Sequence, residues 1–230
     1  LRLKVEDNVI FNTMGHSIYL ETGVEMKNSI RRNLVVATRA CTSCMNSDLT
    51  PASFYIANVN NYLEGNVAAG SLHHGFWFAL SSSVTHNGIY GGTPSGIYGH
   101  MRPHMMPMTW GSIFGNTAHS NGNNGVSFEP RYEPRSNTWG HGGSHRRTYV
   151  HNFTIFKSQV HGVDMGFHAG SITFDGLKVA DTGLEVRESA ALWSRHVSAG
   201  NMTFGVQNAN FFAFTDNLPN SRSDKRSGIN

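Results

Sequence analysis

Side chains able to act on or hold a sugar polymer are concentrated near the start of the chain. His16, Glu21 and Glu25 bring an imidazole and two carboxylates together in the sequence. Two carboxylates near a histidine can serve as acid and base in glycoside cleavage. Groups that can hold an acidic polysaccharide by charge and ring stacking follow at Arg31, Arg32, His74 and Trp77. The sequence therefore predicts a glycan site, with His16, Glu21 and Glu25 as its catalytic residues if the protein is an enzyme.

A structural interpretation of the same residues stays open. Glu21 and Glu25 can pair with Arg31 or Arg32 of the next repeat, and His16 can be a turn residue whose hydrogen bonds are satisfied. Under this interpretation the segment supports a fold or an adhesion surface and performs no chemistry.

The elements that position these residues are internal repeats. Each copy has an apolar residue, two variable residues and Asn or a substitute, followed by a second apolar cluster after a Gly. The lead apolar residues are Val9, Ile30, Leu63, Ile113, Ile155 and, in a degenerate sixth copy, Phe174. The fourth position of the first five copies holds Asn12, Asn33, Asn66, Asn116 and Ser158. Such repetition indicates a solenoid whose units bury their apolar faces by stacking, so we expect the lead residues to point into the core.

The repeat pattern favours an all-β fold, a right-handed parallel β-helix with loop insertions. The copies carry short period-two apolar runs with frequent Gly and Asn, and they lack the 3.6-residue stripes of helices. Asparagines stacked at the turns would form a hydrogen-bonded ladder. We predict the coil over residues 1–206 and a polar tail or linker over 207–230.

Composition limits the partners of the chain. Charged residues make up 14% of the sequence and the net charge is +3, without the clustered basic face of a nucleic-acid-binding protein. No apolar run approaches the length of a membrane span, so we expect any membrane attachment to come from an anchor elsewhere in a longer parent chain. The expected partners are other domains of that parent and an extracellular glycan or protein. No cofactor or metal is predicted, although calcium stays open for an extracellular solenoid.

The two cysteines, Cys41 and Cys44, form a C-T-S-C motif that is compatible with a short-loop disulfide, half of a zinc site or a redox pair. No second ligand pair accompanies the motif, which favours the disulfide. The sequons at Asn152 (NFT) and Asn201 (NMT) predict glycosylation of an extracellular surface.

A segment rich in Met and His, from His100 to Trp110, interrupts the repeats. Thioether and imidazole groups are ligands for soft metals, but this segment has no symmetrical ligand spacing. We favour a loop that packs over the coil with its methionines filling gaps.

Three further segments are more specific than the repeat. The first, NTMGHSIYLETGVEMKNSIRRNLVVAT, follows the pattern G-H-x-hydrophobic-x-L-E-D-G-x-E-x-x-N and then N-L, with Thr22 in place of the Asp. The second, ASFYIANVNNYLEGNVAAGSLHHGFWF, follows a run of the form TFW-x-NPNN, AAGS and GFWF, with Val59 in place of the Pro. The third, NTAHSNGNNGV, contains N-x-AHSN followed by Gly. In this order they resemble the β-helix segment shared by fibrocystin, fibrocystin-like receptors and the cell-surface, hyaluronan-binding hyaluronidases.

The resemblance covers residues 5–185 except the Met/His segment. It implies a β-helix module of a large secreted or single-span protein at a cell surface, which for fibrocystin-type members includes the cilium. The leading expectation is an extracellular structural or adhesion module that presents a glycan- or protein-binding face. The alternative is a hyaluronidase-like enzyme that cleaves an acidic polysaccharide.

Overall fold

In a computed structural model, the short apolar runs become strands of a parallel β-helix. The structure describes residues 2–44, 46–84, 101–136, 143–166, 168–183, 189–194 and 203–212. Its strands, in chain order, are β1 (Lys4–Glu6), β2 (Val9–Phe11), β3 (Ile18–Leu20), β4 (Ser29–Arg31), β5 (Leu34–Val36), β6 (Ala52–Ile56), β7 (Tyr62–Glu64), β8 (Val67–Ala69), β9 (His74–Phe78), β10 (Ile113–Phe114), β11 (Thr117–His119), β12 (Val126–Ser127), β13 (Arg131–Tyr132), β14 (Thr148–His151), β15 (Thr154–Phe156), β16 (Val163–Asp164), β17 (His168–Ala169), β18 (Ile172–Asp175), β19 (Lys178–Ala180), β20 (Leu192–Trp193), β21 (Phe204–Gln207) and β22 (Asn210–Phe212).

Helical structure in the described part of the chain is confined to two 3₁₀ turns, Asn46–Leu49 and Pro103–Met105. No helix there is long and apolar enough to cross a membrane.

The strands form three long parallel sheets that run along the axis of the coil. The first sheet has the order β1-β4-β7-β10-β14-β18-β21, and the second has β2-β5-β8-β11-β15-β19-β22. The third has β20-β16-β12-β9-β6-β3, and β13 pairs separately with β17. Each coil contributes one strand to each long sheet where all three are described, so the predicted all-β parallel β-helix is confirmed.

The core is built from inward-facing positions repeated from coil to coil. Ile30, Leu63, Ile113, Ile155 and Phe174 are all buried, as the repeat predicts. On the third sheet, phenylalanine rings stack between neighbouring coils, with centroids 4.5 Å apart for Phe54 and Phe76 and 4.4 Å apart for Phe78 and Phe128. Parallel sheets need such apolar rows because their inner faces have no access to water.

The predicted core position of Val9 is wrong. Its side chain is 74% exposed, because in β2 the middle residue Ile10 faces inward. Val5 pairs with Ile30 and takes the lead position of the first coil. The lead residue of the first copy thus lies four residues before the predicted Val9.

The fifth copy is also shifted from its predicted register. Phe114 pairs with His151, which places Val150 beside Ile113, whereas Ile155 pairs with Ala118 on the second sheet. Both readings bury an apolar residue, since strands on two sheets of one coil carry the same apolar pattern. Sequence alone did not separate them.

The turn between the first and second sheets has the same backbone conformation in every coil. The residue that follows each first-sheet strand has a positive φ, at Asp7, Arg32, Gly65, Gly115, Asn152, Gly176 and Asn208. This left-handed conformation suits Gly and is tolerated by Asn and Asp. The next residue in the first four coils is Asn8, Asn33, Asn66 and Asn116.

These four asparagines form the predicted ladder, with Asn8 in place of the predicted Asn12. The Oδ1 of Asn66 accepts hydrogen bonds from the backbone N–H and the Nδ2 of Asn33, at 3.1 and 3.0 Å. Asn66 in turn donates from its N and Nδ2 to Asn116 Oδ1, at 3.0 and 2.9 Å. The ladder pairs polar backbone groups that the tight turn would otherwise bury unsatisfied.

The ladder ends at the fifth coil, where Phe153 occupies the position of the asparagine. The hydrogen bond from Thr154 N to Asn116 O identifies this position, since it aligns Phe153 with Asn116. Leu177 follows in the sixth coil, and both side chains are buried. Ser158, predicted as the ladder residue of this copy, lies instead at the corner after the second sheet. An apolar core residue thus replaces the amide once the ladder has ended.

Insertions leave the coil at its corners. Among the described residues, 79–84, 101–112, 128–136 and 143–147 belong to connections from the third sheet to the first, and 37–44 and 46–51 belong to a connection from the second sheet to the third. The coil continues to Phe212 on β22, past the predicted boundary at residue 206, because the second-sheet register of β19 extends one further strand. The predicted tail from residue 213 onward lies outside the described residues.

We predict that Asn66→Ala lowers the free energy of unfolding by about 2–5 kcal/mol. It removes the Oδ1 that accepts from Asn33 N and Nδ2, and the Nδ2 that donates to Asn116 Oδ1 and Ile30 O, while the backbone N–H of residue 66 is kept. Urea unfolding monitored by circular dichroism would measure this change. Asn8→Ala is the matched control at the exposed end of the ladder, and its cost should stay below about 1 kcal/mol. Equal losses in the two variants would contradict the ladder as a buried network.

Candidate functional site: an aromatic row on the third sheet

The outward face of the third sheet carries aromatic rings on three adjacent coils. Tyr19, Tyr55 and Trp77 occupy one register position, since Tyr19 pairs with Tyr55 and Tyr55 with Trp77. The ring centroids are 4.9 Å apart for the two tyrosines and 5.2 Å apart for Tyr55 and Trp77, and both pairs meet edge to face. We call these three side chains the aromatic row. Because all three are only partly buried, the row presents ring surface along the coil axis.

An open cleft of about 470 Å³ borders the aromatic row. Its lining combines the rings of Tyr55 and Trp77 with Ser81, Ser82, Glu129 and two small apolar residues, Ala79 and Pro130. The indole Nε1 of Trp77 is buried and has no hydrogen-bond partner within the described residues. The cleft therefore offers ring faces, hydroxyls and a carboxylate in one place.

His16 lies under the aromatic row and is closed to solvent. Its side chain is 1% exposed, and its ring centroid lies 5.0 Å from that of Tyr19 and 4.4 Å from that of Tyr55. Its Nδ1 accepts a hydrogen bond from Ala52 N at 3.0 Å, so the proton of the neutral ring is on Nε2, which lies 3.8 Å from Asp48 Oδ1. Burial lowers the pKa of His16 to about 4, against the opposing charge of Asp48.

The same bond recurs along this edge of the third sheet. His161 Nδ1 accepts from Ala190 N at 3.1 Å, and Asn124 Oδ1 accepts from His161 N at 3.1 Å. In each case a side chain at one register position binds the backbone N–H of the next coil. His16 therefore stabilises the contact between two coils, as the ladder asparagines do. The sequence did not predict this role for His16 or for His161.

Asp48 is the residue of this site that sequence reasoning missed. It lies in the corner segment 37–51, in which Cys41 and Cys44 are joined by a disulfide and Cys41 N donates to Asp48 O. Its Oδ1 accepts a hydrogen bond from His16 N at 3.0 Å. A Cβ on Gly15, where φ is +75°, would lie 2.6 Å from Asp48 Oδ1. Gly15 is thus required by the close approach of this carboxylate.

The two candidate catalytic carboxylates lie in different settings. Glu25 Oε1 accepts from Thr22 N and Thr22 Oγ1, at 3.1 and 2.8 Å, and its Oε2 accepts from Gly23 N at 2.9 Å. It thus closes its own turn. Glu21 lies beside the aromatic row, where burial and the Glu21 charge together raise the pKa of Tyr55. Thr22 suits this turn because its hydroxyl donates to Glu25, which an ionised Asp in its place could not do.

The two arginines lie away from the aromatic row. Arg31 is on the first sheet, where its Nε lies 3.3 Å from Glu64 Oε2. Arg32 is at the next turn and binds both oxygens of Asp7, at 2.7 and 2.8 Å. The alternative that Glu21 or Glu25 pairs with these arginines is therefore wrong. A corner of the coil separates Arg31 and Arg32 from Trp77, so the structure does not bring the predicted glycan-binding set together.

His74 lies on the same side of the coil as Trp77 but is buried. Its ring centroid lies 4.0 Å from that of His73 and 5.1 Å from that of Trp77. Burial, with the neighbouring imidazoles of His73 and His16, lowers the pKa of His74. Of the predicted binding residues, Trp77 alone borders the open cleft.

The remaining candidate residues lie elsewhere. Asn152 is exposed at a turn, and Asn201 lies outside the described residues. In the Met/His segment, Met101, Met106 and Met108 are buried in the core, as expected of a gap-filling loop, and His100 lies outside the described residues. Within the described ranges, no group of three or more His, Cys, Asp or Glu side chains is placed to hold a metal ion.

We predict that Gly15→Ala destabilises the protein more than Gly115→Ala. Both glycines have positive φ, which costs an Ala about 1–2 kcal/mol, but nothing lies within 4 Å of a Cβ at Gly115. The clash with Asp48 should add about 1–3 kcal/mol at Gly15. Thermal unfolding of both variants checks the difference, and equal stability would contradict the contact between Gly15 and Asp48.

We also predict that His16 makes stability depend on pH. Its pKa of about 4 in the folded state lies below the ordinary value of 6.5, so the folded protein resists its protonation. The stabilisation is complete above about pH 6.5 and is lost as the pH falls toward 4, by about 2–3 kcal/mol at pH 4.5.

Denaturant unfolding at pH 7.5 and 4.5 measures this loss. His16→Asn is the matched variant, because Asn124 already makes the equivalent bond with its Oδ1. The variant should lose less stability on acidification than the wild type. An identical pH dependence would contradict the neutral, buried His16.

Comparison with known proteins agrees with the β-helix fold. A family model described as the CEMIP beta-helix matches residues 2–126, more than half of the chain, and this range includes the whole aromatic row, His16 and Asp48. The resemblance found in the sequence is thereby confirmed.

Individual relatives include Fibrocystin-L of Mus musculus, 33% identical over 132 residues, which cover 57% of this chain and 3% of that protein. Cell surface hyaluronidase of Danio rerio is 32% identical over 143 residues, covering 52% of this chain and 10% of that protein. Cell migration-inducing and hyaluronan-binding protein of Mus musculus is 25% identical over 227 residues, 79% of this chain and 16% of that protein. The chain thus spans a small part of each relative. By its fold and by the family match over its first coils, this chain belongs to the CEMIP β-helix family.

Proposed function

We propose that this β-helix is an extracellular binding module that presents its aromatic row to a glycan chain. The observation that carries the proposal is the alignment of Tyr19, Tyr55 and Trp77 on adjacent coils beside an open cleft. Successive coils are about 4.8 Å apart, so an extended sugar polymer lying along the axis would meet one ring after another. Aromatic faces pack well against the C–H faces of sugars.

Polar groups around the cleft support recognition of a hydroxylated ligand. Ser81, Ser82 and Glu129 line the cleft and can bind hydroxyls. Arg102 donates to Ser82 O at 3.4 Å and so brings a guanidinium to the rim, where it can bind a sugar carboxylate. The names of two relatives refer to hyaluronan, which is therefore the first ligand to test.

The burial of His16 and the hydrogen bonds of Glu25 support binding rather than cleavage. His16 is closed to solvent, and Glu25 is occupied by its own turn. Glu21 is the candidate catalytic residue that lies at the aromatic row, which keeps hydrolysis of an acidic polysaccharide as the second candidate function. That activity would need a second carboxylate about 5–10 Å from Glu21 across the ligand.

The same proposal includes a cellular location for the module and its place in a longer protein. The relatives are far longer than this chain, and one is named as a cell surface protein. We infer an extracellular or cell-surface setting in which the other partners are further domains of the parent protein. A disulfide between Cys41 and Cys44 is in keeping with such an oxidising compartment.

We predict that Trp77→Ala weakens the binding of size-defined hyaluronan oligosaccharides about tenfold, equivalent to about 1.4 kcal/mol, through the loss of one stacked ring. Isothermal titration calorimetry measures the affinity, with chondroitin and a neutral β-glucan as comparison ligands. Phe11→Ala is the control, an exposed ring on the second sheet whose loss should change the affinity less than twofold. Unchanged binding in Trp77→Ala, or no binding of any of the three polymers by the wild type, would refute the proposal.

We predict in addition that the wild type leaves the size of the same hyaluronan unchanged during prolonged incubation, as gel filtration of the polymer would show. Chain shortening that Glu21→Gln abolishes would replace the binding proposal by the hydrolase.

A further inference from the structure

We propose that Asn152 carries an N-linked oligosaccharide whose first sugars pack on an exposed aromatic surface of the first sheet. This surface is formed by the exposed rings of Trp110 and Phe114, with the ring of His151, which is 13% exposed, beside Trp110. The inference rests on the extracellular setting of the proposed function but not on its glycan-binding face, which lies on the third sheet.

The carboxamide of Asn152 is free to be modified. Asn152 is exposed at the left-handed turn after β14, with φ 51°, and it begins the sequon Asn152-Phe153-Thr154. Its side chain takes part in none of the hydrogen bonds among the described residues. The ladder asparagines differ, since Asn66 and Asn116 use their Nδ2 groups inside the coil. The turn that holds Asn152 thus leaves its Nδ2 available.

The neighbouring coils leave room for a sugar at this turn. The positions equivalent to Asn152 in the preceding and following coils are Gly115 and Gly176. No atom lies within 4 Å of a Cβ placed on Gly115, and the Asn152 Oδ1 occupies the space that a side chain at Gly176 would need. Asn152 therefore has no side chain beside it at the same turn position on either side.

A large aromatic surface lies next to this turn. Trp110 is 71% exposed, and its ring centroid lies 4.7 Å from that of Tyr149 and 4.9 Å from that of His151, the residue before Asn152. Phe114 pairs with His151 and is 43% exposed. Exposed apolar surface of this kind marks an interaction site.

The chemistry of this surface fits a sugar. The flat rings of Trp110 and Phe114 can receive the C–H face of a pyranose. His151 Nδ1 lies 3.5 Å from Asp175 Oδ2, and this polar pair borders the rings where hydroxyls would project. An oligosaccharide attached to the adjacent residue would be held at this surface at high effective concentration.

The modification is a transfer from a polyprenyl-diphosphate-linked oligosaccharide, catalysed in the secretory pathway. Asn152 Nδ2 forms a bond to the anomeric carbon of the first sugar, while the bond from that carbon to the diphosphate oxygen breaks. The polyprenyl diphosphate leaves with the electron pair, and Nδ2 loses one proton to a base. No oxidation or reduction takes place.

Site occupancy is tested on the full 230-residue chain, directed to the secretory pathway of cultured eukaryotic cells. Peptide mass spectrometry after peptide N-glycosidase treatment in ¹⁸O water reports the Asn152 site separately from Asn201. We expect glycan on Asn152 in the wild type and none in Thr154→Val. Thr117→Val, the matched control, changes the residue that pairs with Thr154 in the preceding coil but belongs to no sequon, and it should retain the glycan. If the chain is retained in the cell, the same peptide is measured in the retained pool, and an unmodified Asn152 in either pool refutes the site.

Packing of the sugar is tested by enzymatic removal from the folded protein. Removal should lower the Tm by about 2–5 °C in the wild type and by less than about 1 °C in Trp110→Ala. Equal shifts in both proteins refute the packing. If Trp110→Ala does not fold, hydroxyl-radical labelling of wild-type Trp110 decides: we expect severalfold faster labelling after removal, and an unchanged rate refutes the packing. Failure of hyaluronan binding leaves both results unaffected, so the two proposals fail independently.

Discussion

The hydrogen-bonded register between successive coils is the constraint on which the rest of this structure depends. Each strand binds the strand one coil away in parallel, so a side chain at one position lies beside the same position of its neighbours. The left-handed residue after each first-sheet strand fixes the turn. From the second to the fourth coil, the side chain of the asparagine that follows it accepts a hydrogen bond from the backbone N–H of the preceding coil. Rows of identical chemistry along the axis are the direct result.

This constraint explains why polar and apolar residues share the interior. Asn33, Asn66 and Asn116 are buried as completely as the core phenylalanines, yet each is hydrogen-bonded to a neighbouring coil. His16 and His161 perform the same task at the corner before the third sheet, with a ring nitrogen in place of an amide oxygen. Burial lowers the pKa of His16, so its contact with the next coil is sensitive to acid, whereas the equivalent contact of Asn124 does not titrate.

Function is left to the outward positions and to the corners, because the inward positions are fixed by packing. The aromatic row uses one outward position of the third sheet, and the corner insertions supply its surroundings. The segment 37–51 brings Asp48 to His16. The cleft beside Trp77 is lined by Ala79, Ser81, Ser82, Glu129 and Pro130 from two other corner segments. A repeated frame can thus carry a specific surface without any change to its core.

The sequence by itself determined the parallel β-helix, its family and most of its core. The same spacing relative to a turn is shared by Ile30, Leu63, Ile113 and Phe174. Because an apolar row is stable only when buried, all four must face the core. Asn33, Asn66 and Asn116 were identifiable for the same reason, since an amide repeated at a turn has few other uses.

Tertiary structure alone decided the register at the two places where the pattern is ambiguous, at Val9 and Ile155. It also decided the composition of the site. Tyr19, Tyr55 and Trp77 are unequally spaced in the chain, because corner segments differ in length, so no periodicity reveals their alignment. Arg31 lies close to Glu25 in the sequence, yet a corner of the coil turns it onto another sheet, while Asp48 reaches His16 only through the stacking of the second coil on the first.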